Sequence, residues 1–373
     1  MSVVGIIFSN IHDRNVSELT RLRTMASVPF GCRYRLIDFT LSNMVNSGIT
    51  HVGVIAHANY QSLMDHIGSG KDWDLARRNG GIQILPPYIT AFANYGNGLY
   101  TNRLDALKNT RNFLMGSRED YVVLADCDVI CNFPLERMIE EHIASGADAT
   151  LAVKRCYFGG GSKASMVRSD DSGRITDILD VIEGNGMGDA HLNIWVMRRR
   201  FLLDTLNETI SHSYESFNKD FVLRNINKSD FRIFRFDGYF ASIGSMSDYY
   251  QCNMDLLNAD TRAALFGDKN RPVLTKVRNS SPTVYRDGAS VKNSLIADGC
   301  VIEGVVENSI LFRGVKVGRG TVIRNSILMQ DTFTGSNVNL NCVITDKNVV
   351  IRDGRVLSGH ETRPFYIEKD AHV

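Results

Sequence analysis

The sequence predicts an α/β domain with a mostly parallel sheet, followed by a left-handed parallel β-helix of hexapeptide repeats. Three observations carry this. From Val3 to about Leu257, short apolar runs alternate with amphipathic stretches, the order of a parallel sheet covered by helices. Beyond about residue 270, Asn293-Ser-Leu-Ile, Asn308-Ser-Ile-Leu, Asn325-Ser-Ile-Leu and Asn341-Cys-Val-Ile recur at intervals of 15, 17 and 16 residues. Within and between these motifs apolar residues fall six apart, the step of a triangular coil made of three short strands.

The elements follow in order. VVGIIF, from Val3 to Phe8, is an apolar run of strand length. The segment after it, Ser9 to Thr20, is polar and contains no glycine, although the loop after the first strand of an α/β domain is where a phosphate is usually cradled. Pro29 to Gly31 reads as a turn and Leu36 to Ser47 as an amphipathic helix. HVGVIA, YVVLADCDVI, ATLAVKRC, HLNIWVM and FRIFRFDGYFASIG read as strands bounded by turn or polar residues. LERMIEEHIASG reads as a helix closed by Gly146. ESFNKDFVLRNI and SMSDYYQCNMDLLNAD read as helices as well. RPVLTKVRNSSPTVYRDGAS, with Pro272 and Pro282, reads as a linker. The expected domains are 1–265, a linker at 266–288, and 289–373.

In the repeats, the inward positions are read as Ile296 and Ile302; Leu311, Val317 and Ile323; Leu328, Thr334 and Leu340; and Ile344, Val350 and Val356. Four copies suffice for a small solenoid. An antiparallel meander would alternate every two residues instead. Such coils serve acyltransferases or act as oligomerisation modules. An acyltransferase needs a histidine on a coil, yet none lies between Ser290 and Val356, and His360 falls just past them. Any chemistry therefore belongs to the N-terminal domain.

Composition narrows the classes further. A chain of 373 residues is long for one core. Lys+Arg of 42 against Asp+Glu of 41 argues against non-specific binding to nucleic acid or a membrane surface. No apolar run reaches the roughly 18 residues of a membrane span, and no secretory signal opens the chain. Seven scattered cysteines, with no Cys or His pair to complete a zinc site beside Cys127 and Cys131, are expected to be free thiols of a cytoplasmic protein.

The stretch VPFGCRYRLIDFTLSN, ahead of a terminal β-helix, resembles the glucose-1-phosphate adenylyltransferase (ADP-glucose pyrophosphorylase) family, which reads PFGG-x-[YF]-R-[IL]-IDF-x-LSN there. The resemblance covers essentially the whole chain and implies a Rossmann-like nucleotidyltransferase domain. It also implies a reaction of ATP with glucose 1-phosphate for glycogen synthesis, assisted by Mg²⁺. Such chemistry needs a phosphate loop, acidic metal ligands and a lysine on the sugar phosphate.

The matching positions depart from that pattern. The family loop GGxGxRLxPLT falls on Asn10 to Thr20, where neither the glycines nor the Arg-Leu pair is kept, and a side chain at each former glycine narrows the backbone's approach to a pyrophosphate. R-x-K-P appears as Arg23-Thr24-Met25-Ala26, and GTADA, the motif that packs near the nucleotide base, as Asn102-Arg103-Leu104-Asp105-Ala106, where Asp105 and Ala106 match and Asp105 is the implied nucleotide-binding residue. LAGDH appears as Ala125-Asp126-Cys127-Asp128-Val129: Asp128 matches the metal aspartate, and Asp126 is an additional acid. Ser242 stands where the second metal aspartate belongs, and Val181 where the sugar-phosphate lysine belongs. Lys219 keeps its place in a matching F-G-K-D element, here Phe217-Asn218-Lys219-Asp220.

Four lost contacts, each worth about 2–4 kcal/mol, would slow turnover by many orders of magnitude. The resemblance is therefore to the regulatory, non-catalytic D-type subunit found beside a catalytic subunit, with Asp128 and Lys219 as vestiges. It implies a heterotetramer with that partner or a homo-oligomer without it, no cofactor of its own, and Mg²⁺ held with the partner. It also implies anionic metabolite effectors on basic positions matched by Arg23, Arg35 and Arg363, with Arg21 and Arg33 adding charge nearby. A self-sufficient adenylyltransferase and a purely structural oligomerisation protein are the competing readings.

Overall fold

The computed structural model describes residues 2–87, 102–158, 165–179, 186–212 and 214–373. They form two compact units, one of Met1–Ile11, Phe39–Tyr60 and Ile67–Gly238, the other of His12–Asp38, Gln61–His66 and Tyr239–Val373.

In the first unit, Val3–Phe8 lies parallel between His51–Ile55 and Tyr121–Asp126, and Gly81–Leu85 extends the parallel set at one side. These strands are apolar almost throughout, as burial on both faces requires. Gly186–Arg198 runs antiparallel to both Tyr121–Asp126 and Ala149–Phe158, with an irregularity between His191 and Trp195. Asn193, at φ 57, makes that break, a conformation asparagine adopts more readily than most residues. Val4, Ile6, Val122, Leu124, Trp195 and their neighbours form a hydrophobic core in the unit. Leu135–Ser145 is a helix ended by Gly146 at φ 68, as expected.

In the second unit, Pro29–Phe30 pairs with Tyr34–Arg35, so the turn falls at Gly31 to Arg33, two residues beyond the reading Pro29 to Gly31. The C-terminal repeats form three five-stranded parallel sheets, the architecture expected of a left-handed β-helix. Asn293, Asn308 and Asn325 take the left-handed corner of successive coils, at φ 43, 48 and 47. Their neighbours stack as a hydroxyl ladder: the Ser294, Ser309 and Ser326 hydroxyls each accept the backbone N–H one coil on, from Ser309, Ser326 and Val343, at 3.1 Å.

At the fourth corner the left-handed residue is Cys342, at φ 51, and not Asn341. This shifts the last inward set by one residue. Leu328 pairs with Thr345, Thr334 with Ile351 and Leu340 with Leu357. The inward residues are thus Thr345, Ile351 and Leu357 in place of Ile344, Val350 and Val356. Val356 is 73% exposed, whereas Ile351 is fully buried.

None of the seven cysteines is in a disulfide, and no helix among the described residues is long and apolar enough to cross a membrane. The corrected register predicts that Ile351→Ala lowers stability by about 2–5 kcal/mol while Val356→Ala changes it by no more than about 0.5 kcal/mol. Urea midpoints of the two variants check this, and equal losses would contradict the register.

Candidate functional site

Among the described residues, each unit has a place where chemistry-bearing side chains gather.

In the first unit, the Tyr121–Asp126 strand ends at a pair of buried carboxylates, Asp126 at 2% exposure and Asp128 at 4%. Carboxylate oxygens of the two lie within 4.8 Å of one another. The strand end is pinned by the Thr40 hydroxyl, which donates to the Asp126 carbonyl at 3.0 Å, and by the Cys127 thiol, which points at the Ser9 carbonyl. The guanidinium of Arg103 forms an ion pair with the Asp126 carboxylate. Arg103 opens the helix Arg103–Asn109, capped by the Asn102 side chain, which accepts the Asp105 N–H at 2.9 Å. Its guanidinium carbon lies 5.4 Å from the centre of the Phe8 ring and 5.5 Å from that of Phe217, a cation–π arrangement on two sides. His191 is buried nearby, pushed down to about 3 first by burial and then by the Arg103 charge, with Asp126 opposing. It is therefore a neutral imidazole, and its Nδ1 accepts the Asn193 N–H at 2.8 Å.

The other residues singled out in this domain do not join that pair. Asp105 holds the helix start: its carboxylate accepts from Asn102 Nδ2 at 2.7 Å and pairs with Lys108 at 3.1 Å. Lys219 is exposed on the turn Phe217–Leu223. Val181 lies outside the described residues.

In the second unit, the segment aligned with the phosphate loop is folded on itself. Asp13–Val16 and Ser17–Thr20 are single helical turns. The Thr20 hydroxyl donates to the Asp13 carbonyl at 2.6 Å, and the Asp13 carboxylate accepts the Met25 N–H at 2.7 Å. Met25, in the place of the phosphate-binding lysine, is a core residue at 1% exposure. Ser242 is exposed.

The same unit builds a basic pocket. Arg33, Arg35, Lys276, Arg278 and Arg313 line it together with His66, and no carboxylate does. Arg35 is held by the Ser62 hydroxyl at 2.9 Å. The His66 imidazole, which burial pushes below its usual pKa, donates from Nε2 to Asp38 at 2.6 Å. Asp38 also accepts the Arg35 N–H at 2.9 Å. Arg313 is buried, and its paired carboxylate, Asp298, is 3.8 Å away, beyond hydrogen-bond range. The cavity is small, about 10 Å³, room for roughly one water-sized group. A cavity of that size would admit the oxygens of an anionic head group and leave the rest of a ligand outside.

Of the three expected effector residues, Arg35 lines this pocket. Arg23 is buried and its Nη2 donates to both carboxylate oxygens of Asp346 at 2.8 Å, beside a separate cleft of about 240 Å³ that Tyr366 and Glu368 share. Arg363 is exposed and lines neither. Sequence reasoning passed over Lys276 and Arg278 because they sit in the stretch read as linker. It also missed Arg103, although the signal existed: relative to the family pattern, the chain gains an acid at Asp126 and a base at Arg103.

Comparison with known proteins adds to this geometry. Residues 14–259 match the family described as "Nucleotidyl transferase", and residues 281–363 match "GlmU-like, C-terminal hexapeptide". A glucose-1-phosphate adenylyltransferase of Bacillus mycoides is 30% identical over 357 residues, 95% of this chain and 94% of its own length. The chain belongs to the glucose-1-phosphate adenylyltransferase family. Other members of that name are similar too: one from Thermotoga maritima is 34% identical over 87% of this chain and 76% of its own, and one from Clostridium acetobutylicum is 32% identical over 86% and 84%.

Lys347 lies among Arg35, Arg23 and Arg278, and burial, followed by those charges, pushes it down to about 7, with Asp346 opposing. An anion seated in the basic pocket favours its charged form. Below pH 7 the lysine already carries the proton; above it, binding must take one up. Affinity for sulfate, which does not itself titrate in this range, should therefore fall as pH rises from 7, by up to about tenfold per unit. Calorimetric titration at several pH values reads this, and Lys347→Met should flatten the dependence.

Proposed function

We propose that this chain is a regulatory, non-catalytic subunit of glucose-1-phosphate adenylyltransferase. It assembles with a catalytic subunit into a heterotetramer and conveys to it the binding of an anionic metabolite. In that role it supports synthesis of ADP-glucose from ATP and glucose 1-phosphate in glycogen formation, with Mg²⁺ held by the catalytic partner.

The observation that carries this reading is the basic pocket. Five cationic side chains converge with no carboxylate among the lining residues, and such a concentration of like charge is costly unless an anion relieves it. The reading gains from what the family chemistry lacks here. The loop position is occupied by helical turns tied to Asp13, Met25 is packed into a core, and neither Val181 nor Ser242 can supply the charge its position calls for.

The test is to purify the chain alone and together with a catalytic subunit of the family, and to measure ADP-glucose formation with ATP, glucose 1-phosphate and Mg²⁺. The chain alone should show no turnover, and the mixture should differ from the catalytic subunit alone in rate or in response to phosphorylated metabolites. Replacing Arg33 and Arg278 with Ala together should remove that response while leaving co-purification intact. Substantial turnover by the chain alone would overturn the proposal, as would co-purification without any kinetic effect.

A further inference from the structure

We propose that Arg103 is a built-in counter-ion that takes the place of a divalent cation at the end of the Tyr121–Asp126 strand. Two carboxylates with oxygens this close, both more than nine-tenths buried, need positive charge to remain ionised together. In the family pattern a metal balances the aspartate matched by Asp128, and no acid stands at the position of Asp126. Here a guanidinium from the chain supplies the charge on Asp126.

The pairing is built in, not incidental. The Arg103 side chain is 11% exposed and that of Asp126 is 1% exposed, so solvent does little to screen the attraction. The rings of Phe8 and Phe217 flank the guanidinium, and the capped helix start fixes where it leaves the backbone. The hydrogen bond from Thr40 to the Asp126 carbonyl holds the other partner's backbone.

A hard cation binds carboxylate oxygens at about 2.0–2.6 Å. On Asp126 it would sit against the guanidinium that Arg103 places on Oδ2, a like charge. The nearby His191, being neutral, neither adds to that charge nor replaces Arg103. The two occupants are thus mutually exclusive, and the family's metal does not fit beside Asp126 while Arg103 is in place. This inference stands on the first unit alone and does not rest on the regulatory reading. A chain that excludes metal yet leaves a catalytic partner unaffected would refute that reading and not this one.

Mn²⁺, a paramagnetic stand-in for Mg²⁺, is the probe. Electron paramagnetic resonance counts free Mn²⁺ in titrations of the full chain, and thermal melts with and without Mn²⁺ give a second readout. The unaltered chain should show no saturable site. Arg103→Gln should gain one, at least about tenfold tighter than any binding to the unaltered chain, together with a melting temperature that rises with Mn²⁺ concentration. Adding Asp126→Asn to Arg103→Gln should abolish the gain. Arg103→Lys, which keeps the charge, should still exclude the metal. If Arg103→Gln folds only when Mn²⁺ is present, that dependence is itself the predicted gain. Saturable Mn²⁺ binding by the unaltered chain would overturn the proposal. So would a gain that survives Asp126→Asn, or equal gains in the Gln and Lys variants.

Discussion

A carboxylate buried as deeply as that of Asp126 has to be balanced by positive charge, and in this chain the balance comes from Arg103. Much of the surrounding arrangement follows from that need. The helix Arg103–Asn109 must begin at the right place, so Asn102 caps it and Asp105 is drawn into the capping. The guanidinium must be sheltered, so Phe8 at the end of the first strand and Phe217 at the start of the turn Phe217–Leu223 lie against it. His191 must stay neutral beside a fixed cation, and burial keeps it so. Removing one member of such a pair leaves an uncompensated buried charge, at a cost of about 3–5 kcal/mol.

The second unit handles charge in the opposite way. Arg23 is paired with Asp346 through Nη2, and the Asp346 carboxylate also accepts the Tyr366 hydroxyl at 3.0 Å. The basic pocket in the same unit has no carboxylate among its lining residues. A close buried pair holds structure together, and a cluster rich in like charge invites a ligand. That contrast separates Arg23 from Arg35, two residues that look equivalent in the sequence.

Much of the fold was legible before any coordinates. Six-residue spacing comes directly from one inward side chain per short strand, and the apolar runs of the parallel core follow from burial on two faces. The last coil was off by one because Ile344-Thr345, Val350-Ile351 and Val356-Leu357 each offer two adjacent residues able to face inward. Only the backbone corner at Cys342 decides between them. The antiparallel direction of Gly186–Arg198 was not legible either, since a buried strand reads alike in both directions. In the candidate sites, motif matching led to Arg35 but could not separate it from Arg363, because exposure depends on contacts distant in sequence. Arg103 and Asp126 are 23 residues apart, so their partnership showed only as two unexplained departures from one pattern.

The central claim is that this family member has exchanged phosphate and metal chemistry for internal contacts. The most direct measurement is exchange of labelled pyrophosphate into ATP by the chain alone, in the presence of ADP-glucose and Mg²⁺, since it detects even slow passage through the chemical step. The account predicts no exchange above that of a heat-denatured control. Exchange that is abolished by Asp128→Asn would contradict it.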